Sequence, residues 1–206
     1  MRLVDVLTTL GSMDAPVFTT RQAATRLRVP NAHASVLLAR LAAAGHLVRL
    51  RRGVWAEPGG VDPLALPELL TAPFPAYVSL QSALYLHGMI SQIPVVTYAV
   101  TLARTRRFVT PLGDVSLHHV QPSFFFGFED GARPGARLAT PEKALVDFLY
   151  LSPARSKLFR ALPELEWPKK FRVSTARAIV ERIVPVRRRT LVARRLEALL
   201  KTRTNR

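Results

Sequence analysis

The sequence predicts an α+β protein of two domains, and three observations lead to that fold class. Apolar residues recur at helical spacing three times before residue 45, and two short extended runs follow them. Glycines and prolines then interrupt the pattern. From residue 95 the apolar period changes to that of strands, and two basic helices close the chain. We therefore expect a first domain over residues 1–58, a connection over 59–76 and a mixed α/β domain over 77–206.

Three helices are predicted in the first domain. The first has one apolar face and ends at Gly11. Thr19 is expected to cap the second helix, and Val29-Pro30-Asn31 forms the turn after it. The third helix runs to Ala44, where Gly45 ends it. Its predicted core positions are Val36, Leu37 and Leu41.

Two strands at 46–50 and 54–56 enclose the turn Arg51-Arg52-Gly53, and three helices followed by a hairpin make a winged helix-turn-helix. In that fold the third helix enters the major groove of DNA while the wing reaches the backbone or the minor groove. Asn31 could instead cap its helix, and winged helices that bind only protein also exist. The candidate DNA-binding residues are Thr20, Arg21, Asn31, His33, Ser35, Arg40, Arg49, Arg51 and Arg52.

The second domain opens with Tyr77-Val78 and a helix that Ser79 caps. Thr140-Pro141-Glu142 is a typical helix start, and Pro185 separates the two terminal helices, at about 174–184 and 186–201. An antiparallel sheet is expected between the first helix and Thr140. Its predicted strands are 95–102, 107–110, 115–120 and 124–128, joined by turns at 104–106, 111–113 and 129–131.

The net charge of +16 is placed at the two ends of the chain. Residues 1–58 carry +5 and residues 151–206 carry +12, whereas residues 59–150 carry −1. A general bias toward arginine would not leave the middle neutral. The excess therefore favours a polyanion or an acidic protein as partner.

The last helix places a basic row over an apolar one. Arg187, Arg194 and Lys201 are seven residues apart, with Arg188 and Arg195 beside them. Such a row can be a solvated face, but five basic residues with so few acids favour a partner. The pattern does not distinguish a nucleic acid from a protein.

No pattern in the chain predicts an enzyme, a cofactor or a metal site. Walker loops and nucleophile elbows are absent, and Glu142 and Asp147 are five residues apart, which does not suit one helix face. His118 and His119 are adjacent on a strand and point to opposite faces. His87 fits a core histidine, and the run 124–126 of three phenylalanines fits the core better than base stacking.

We expect a cytoplasmic protein that does not enter a membrane. The sequence has no cysteine, which fits a reducing compartment. Asp5 interrupts the first apolar stretch, so the N-terminus does not fit a signal peptide. No apolar run approaches the roughly 18 residues that a membrane helix needs.

Segments of both domains resemble the AbiEi family of antitoxins, the regulators of AbiE-type toxin–antitoxin and phage-defence systems. The resemblance rests on 18–23 and 45–55 in the first domain, and on 77–88 and 139–147 in the second. It implies that the winged domain binds inverted repeats in the promoter of its own operon and represses it. It also implies a type IV antitoxin whose second domain counters a nucleotidyltransferase toxin encoded nearby, without cofactor or catalytic residues. The third-helix and wing residues would then bind DNA, and the basic surface of the last helix would serve the antitoxin role.

Two other functions stay open from the sequence. One is a stand-alone winged-helix transcription factor with a ligand-sensing second domain. The other is a nuclease or another nucleic-acid-processing enzyme, which would show metal-dependent cleavage. The identity of the adjacent gene distinguishes the transcription factor from an antitoxin. A cleavage assay with Mg²⁺ tests for the nuclease.

Overall fold

A computed structural model describes residues 2–13, 15–130, 135–152 and 164–204 of the chain. Its N-terminal part has the predicted order of helices and hairpin, with one additional short strand before the second helix. That strand pairs with β3, which makes a three-stranded antiparallel sheet in the order β1-β3-β2. The elements are α1 (Leu3–Gly11), β1 (Val17–Thr19), α2 (Thr20–Leu27), α3 (Asn31–Ala43), β2 (Val48–Arg51) and β3 (Val54–Ala56).

The remaining part is built on a six-stranded sheet in the order β6-β7-β5-β4-β9-β8. Two short 3₁₀ turns lie at Pro63–Ala65 and Pro122–Phe124. The helices are α4 (Leu66–Thr71), α5 (Leu80–Leu86), α6 (Pro141–Leu151), α7 (Val173–Glu181) and α8 (Val186–Thr204). The strands are β4 (Ala76–Val78), β5 (Thr97–Thr101), β6 (Arg106–Phe108), β7 (Val115–His119), β8 (Phe128–Asp130) and β9 (Arg137–Ala139).

The expectation of an antiparallel sheet is wrong, because two of its pairings are parallel. β5 pairs parallel to β7, and β4 pairs parallel to β9. Both pairings join strands that are distant in sequence, and alternation of apolar residues carries no information about strand direction. The sheet is therefore mixed.

The predicted strand at 124–128 and the turn at 129–131 are also wrong. Phe124 ends a 3₁₀ turn and stacks on Tyr150 with ring centroids 4.3 Å apart. The strand begins only at Phe128, whose ring stacks on Tyr77 at 4.6 Å, and it continues through Asp130 in pairing with β9. The packing of the aromatic rings, and not the alternation of apolar residues, determines the conformation of this segment.

The segment between residues 57 and 76 is packed against both sheets. Leu66 and Leu70 of α4 belong to one apolar cluster that also contains side chains from both sheets. We call this group the junction cluster, and its buried members are Leu50, Val54, Ala56, Leu66, Leu70, Ala99, Val115 and Leu117. Burial of this apolar area fixes the N-terminal sheet to the central sheet through α4. The division into domains at residues 58 and 76 stays a prediction.

The central sheet separates two layers. Ala99 and Leu117 are register partners on the face that α4 and the N-terminal sheet cover. The neighbouring residue Val100 points the other way and joins the core formed with α5, α6, α7 and α8. The N-terminal sheet and α8 therefore lie on opposite sides of the central sheet.

A buried ion pair fastens α6 to β4. Lys143 and Asp147 are one helical turn apart, both fully buried, and the Lys143 ammonium donates to the Asp147 carboxylate. Tyr77 and Ser79 donate their hydroxyl groups to the other carboxylate oxygen at 3.0 and 2.8 Å. Burial lowers the pKa of Lys143 and raises the pKa of Asp147, and the attraction between the two charges opposes both shifts.

Sequence reasoning missed this pair. Two opposite charges spaced i, i+4 in a helix that is apolar from Ala144 to Leu151 apart from Asp147 were the available signal. The ammonium also lies 3.9 Å from the centroid of the Phe124 ring. A Cβ at Gly127 would stand 3.1 Å from the Lys143 side chain, so this glycine leaves room for the lysine stem.

Substituting Lys143→Met should lower the free energy of unfolding by about 3–5 kcal/mol, because it leaves the Asp147 carboxylate buried without its counter-charge. Urea denaturation measures this loss. The double variant Lys143→Met with Asp147→Leu should lose clearly less than the sum of the two single variants. Strict additivity would show that the two buried charges do not stabilise each other.

Candidate nucleic-acid interface

Local capping sets the geometry of α2 and α3. Thr19 accepts the N–H of Gln22 at 3.2 Å, and the Gln22 side chain accepts the N–H of Thr19 at 2.7 Å. Arg28 ends α2 in a left-handed conformation with φ of 55°, and Pro30 precedes α3. The two helices pack through buried side chains that they share with α1: Val6, Leu10, Ala23, Leu27, Leu37, Leu38 and Leu41.

The predicted base-contacting residues all lie on the exposed part of α3. Asn31, His33, Ser35 and Arg40 are exposed. Pro30 holds the N-cap position, so the capping role considered for Asn31 is wrong. His33 and Arg40 are seven residues apart and share one side of the helix.

Val36 is not a core residue as predicted, because it is 51% exposed. The buried positions of α3 are Ala34, Leu37, Leu38 and Leu41, which follow the i, i+3, i+4, i+7 spacing that leaves Val36 outside. Val36 lies on the outer face of the helix together with three small exposed residues: Ala32, Ala39 and Ala43. A strip of small side chains lets a helix approach base edges closely, and an exposed valine can contact a thymine methyl group.

The wing is tied to the start of α2. The indole N–H of Trp55 donates to the Thr20 hydroxyl at 2.9 Å, and the Thr20 N–H donates to the Gly53 carbonyl at 3.0 Å. Gly53 has φ of +77°, which the tight turn requires and a side chain would oppose. Thr20 therefore positions the wing beside α2.

The basic side chains of the wing divide into two groups. Arg49 and Arg52 are exposed, and the Arg49 guanidinium lies 5.5 Å from the centroid of the Trp55 ring. Arg51 is half-buried and donates to the Ala72 carbonyl at 3.3 Å. Arg51 thus joins the wing to the end of α4, whereas Arg49 and Arg52, with Arg21 on α2, remain at the surface.

The basic residues of α8 divide in the same way. Arg188 donates to the Tyr150 carbonyl at 2.9 Å, and Arg195 donates to the Ser152 hydroxyl. Both anchor α8 on the end of α6, where the helix dipole favours positive charge. Arg187, Arg194 and Lys201 are exposed and form the outer row.

The histidines do not form a site. His118 is half-buried and contacts the Ser116 hydroxyl at 3.1 Å, and burial lowers the pKa of His118 to about 4. His119 is exposed, with Nδ1 3.0 Å from the Ala103 carbonyl. His87 contacts the Ala139 carbonyl at 2.7 Å. Within the described ranges, no three histidine, aspartate or glutamate side chains group as a metal ion would need.

Two consecutive helices with an exposed outer face lie beside a basic hairpin in this part of the chain. Residues 5–58 of the 206 match the model of a family described as Transcriptional regulator, AbiEi antitoxin. The match confirms the resemblance to the AbiEi family over the first-domain segments 18–23 and 45–55, whereas the segments 77–88 and 139–147 lie outside it. No curated protein matches the chain. In the described part of the chain, no helix has the length and apolar character needed to cross a membrane.

Proposed function

We propose that this protein is an autoregulatory antitoxin. Its first domain is a winged helix-turn-helix that binds inverted repeats in its own promoter, and its second domain counters a nucleotidyltransferase toxin. The observation that supports DNA binding best is the outer face of α3. It combines a strip of small residues with the exposed side chains of His33, Ser35 and Arg40.

The wing supports the same proposal. Arg49 and Arg52 add exposed positive charge beside α2, on a hairpin that Thr20 and Trp55 hold in place. In this arrangement α3 reads base edges, while Arg21 and the wing arginines bind phosphates. Arg51 contributes by fixing the wing to α4 and not by contact with DNA.

Two substitutions should separate these roles. Arg52→Ala should weaken binding to promoter DNA and to mixed-sequence DNA alike, and should lower the slope of log K against log salt by about 1. Arg40→Ala should instead reduce the preference for the promoter by about 1–3 kcal/mol, since a base contact is lost. Fluorescence anisotropy with DNA from upstream of the gene measures both.

Lys170→Ala is a matched control for loss of one exposed positive charge outside the first domain. It should bind DNA like the wild type. If the Arg40→Ala and Arg52→Ala variants both bound DNA with the affinity and preference of the wild type, the assignment of the DNA-binding face would be refuted.

The antitoxin part of the proposal rests on the outer row of α8. Arg187 and Arg194 form no ion pair with the described residues. Lys201 lies one helical turn from Glu197, a carboxylate that pairs with Arg177 of α7 at 2.7 Å and also interacts electrostatically with Lys201. This row lies across the central sheet from α3. The two activities can therefore be carried on separate surfaces.

Substituting Arg187→Ala with Arg194→Ala should remove protection from the neighbouring toxin and leave repression of the promoter unchanged. Growth of cells that co-express the toxin measures protection, and a promoter fusion measures repression. Lys169→Ala with Lys170→Ala removes the same charge elsewhere on the surface and should still protect. Loss of protection in both double variants would show that net charge, and not the α8 row, matters.

A cavity favours the alternative of a ligand-sensing transcription factor. It has a volume of about 720 Å³ and lies where the N-terminal segment meets α4 and β9. Its walls are largely apolar, with Val17, Val61 and Leu69, and Glu68 and Arg137 form an ion pair at its edge. A gene neighbourhood without a nucleotidyltransferase, together with a ligand that fills this cavity and changes DNA affinity, would favour this function over the antitoxin.

A further inference from the structure

A further exposed basic segment lies at the edge of the central sheet. Arg104, Arg106 and Arg107 cluster within the otherwise neutral middle of the chain, and β6 is the edge strand of the sheet. Charged side chains on edge strands commonly block pairing with other sheets. The three arginines differ, however, in their partners and in the face on which they lie.

Only one of the three is neutralised by an ion pair. Arg107 donates to Asp114 at 2.7 Å. It is the register partner of Ser116, on the face of the sheet that α5 and α6 cover. Arg106 pairs in register with Leu117, which is a member of the junction cluster. Arg106 therefore lies on the face that carries the first domain, and neither Arg104 nor Arg106 forms an ion pair with the described residues.

The basic segment is held in place before any partner binds. The Arg106 guanidinium lies 4.6 Å from the centroid of the Phe108 ring. His119 of β7 donates its N–H to the Thr105 hydroxyl at 3.0 Å, and its ring contacts the Ala103 carbonyl. The Arg106 side chain and the backbone of this segment therefore lose little conformational freedom on binding.

Two hydrogen bonds set an upper limit on the distance between this segment and the wing. Arg51 reaches the Ala72 carbonyl at 3.3 Å, and the Leu102 N–H reaches the Pro75 carbonyl at 3.4 Å. With about 3.8 Å between successive Cα atoms, Arg104 lies within about 30 Å of the Arg51 guanidinium. One turn of B-DNA is about 34 Å long, so a single duplex can span both.

We infer that Arg104 and Arg106 bind phosphates of the same DNA duplex whose groove α3 enters, so that the second domain forms part of the DNA-binding surface. This inference rests on the proposed function of the first domain. The contacts carry no sequence preference, because phosphates are the same in every sequence.

The test compares the wild type with Arg104→Ala plus Arg106→Ala, using salt titrations on promoter and mixed-sequence duplexes. The double variant should lose roughly five- to tenfold in affinity per arginine on both duplexes at 0.1 M salt, and its salt slope should fall by about 2. Arg107→Ala, a neighbour whose charge is already paired, should bind within about twofold of the wild type. If the double variant is unstable, Arg104→Gln with Arg106→Gln replaces it.

The outcomes separate this inference from the proposed function. A wild type that does not bind DNA refutes the proposed function. If the wild type binds DNA and Arg40→Ala weakens that binding, but the double variant keeps the affinity and salt slope of the wild type, this inference is overturned and the proposed function stands. Equal losses in Arg107→Ala and the double variant would also overturn it, because net charge would then explain the effect. A double variant that binds normally but self-associates would show that the arginines only protect the sheet edge.

Discussion

The junction cluster is the interaction on which the rest of the structure depends. Apolar side chains of both sheets meet α4 there. If the two sheets were separated, this apolar surface would be exposed to water. Arg51 adds a hydrogen bond from the wing to the end of α4. The helix that we assign to the groove of DNA is therefore held in a fixed relation to the central sheet, and it is not a module on a loose tether.

Besides the arginines at the β6 edge, the protein has two basic surfaces on opposite sides of the central sheet. The first lies on α2, α3 and the wing, and the second on the outer row of α8. Each has some arginines that anchor elements and others that remain free for a partner. Arg51, Arg188 and Arg195 hold the scaffold together, whereas Arg52, Arg187 and Arg194 stay exposed. Charge placed at the two ends of the sequence is thus distributed to two faces of the fold.

Much of the first domain could be predicted from the sequence because its signals are local. The Thr19 cap, the turn at Pro30 and the glycine of the wing each act within a few residues. Leu37 and Leu41 were predicted correctly, but Val36 was misassigned because it is apolar, although it lies outside the i, i+3, i+4, i+7 spacing of the buried positions. The direction of β5 and β7 and the anchoring of Arg51 depend on residues far apart in sequence, which local patterns do not encode. The Lys143–Asp147 pair could have been found from its i, i+4 spacing, but its hydroxyl donors on Tyr77 and Ser79 required the fold.

Hydrogen–deuterium exchange of the full chain, with and without DNA from upstream of its gene, tests the central claim most directly. The account predicts that DNA slows exchange in α3 and in the wing, over residues 31–43 and 48–56, and leaves α8 unchanged. Protection confined to α8, with α3 and the wing unaffected, would contradict it.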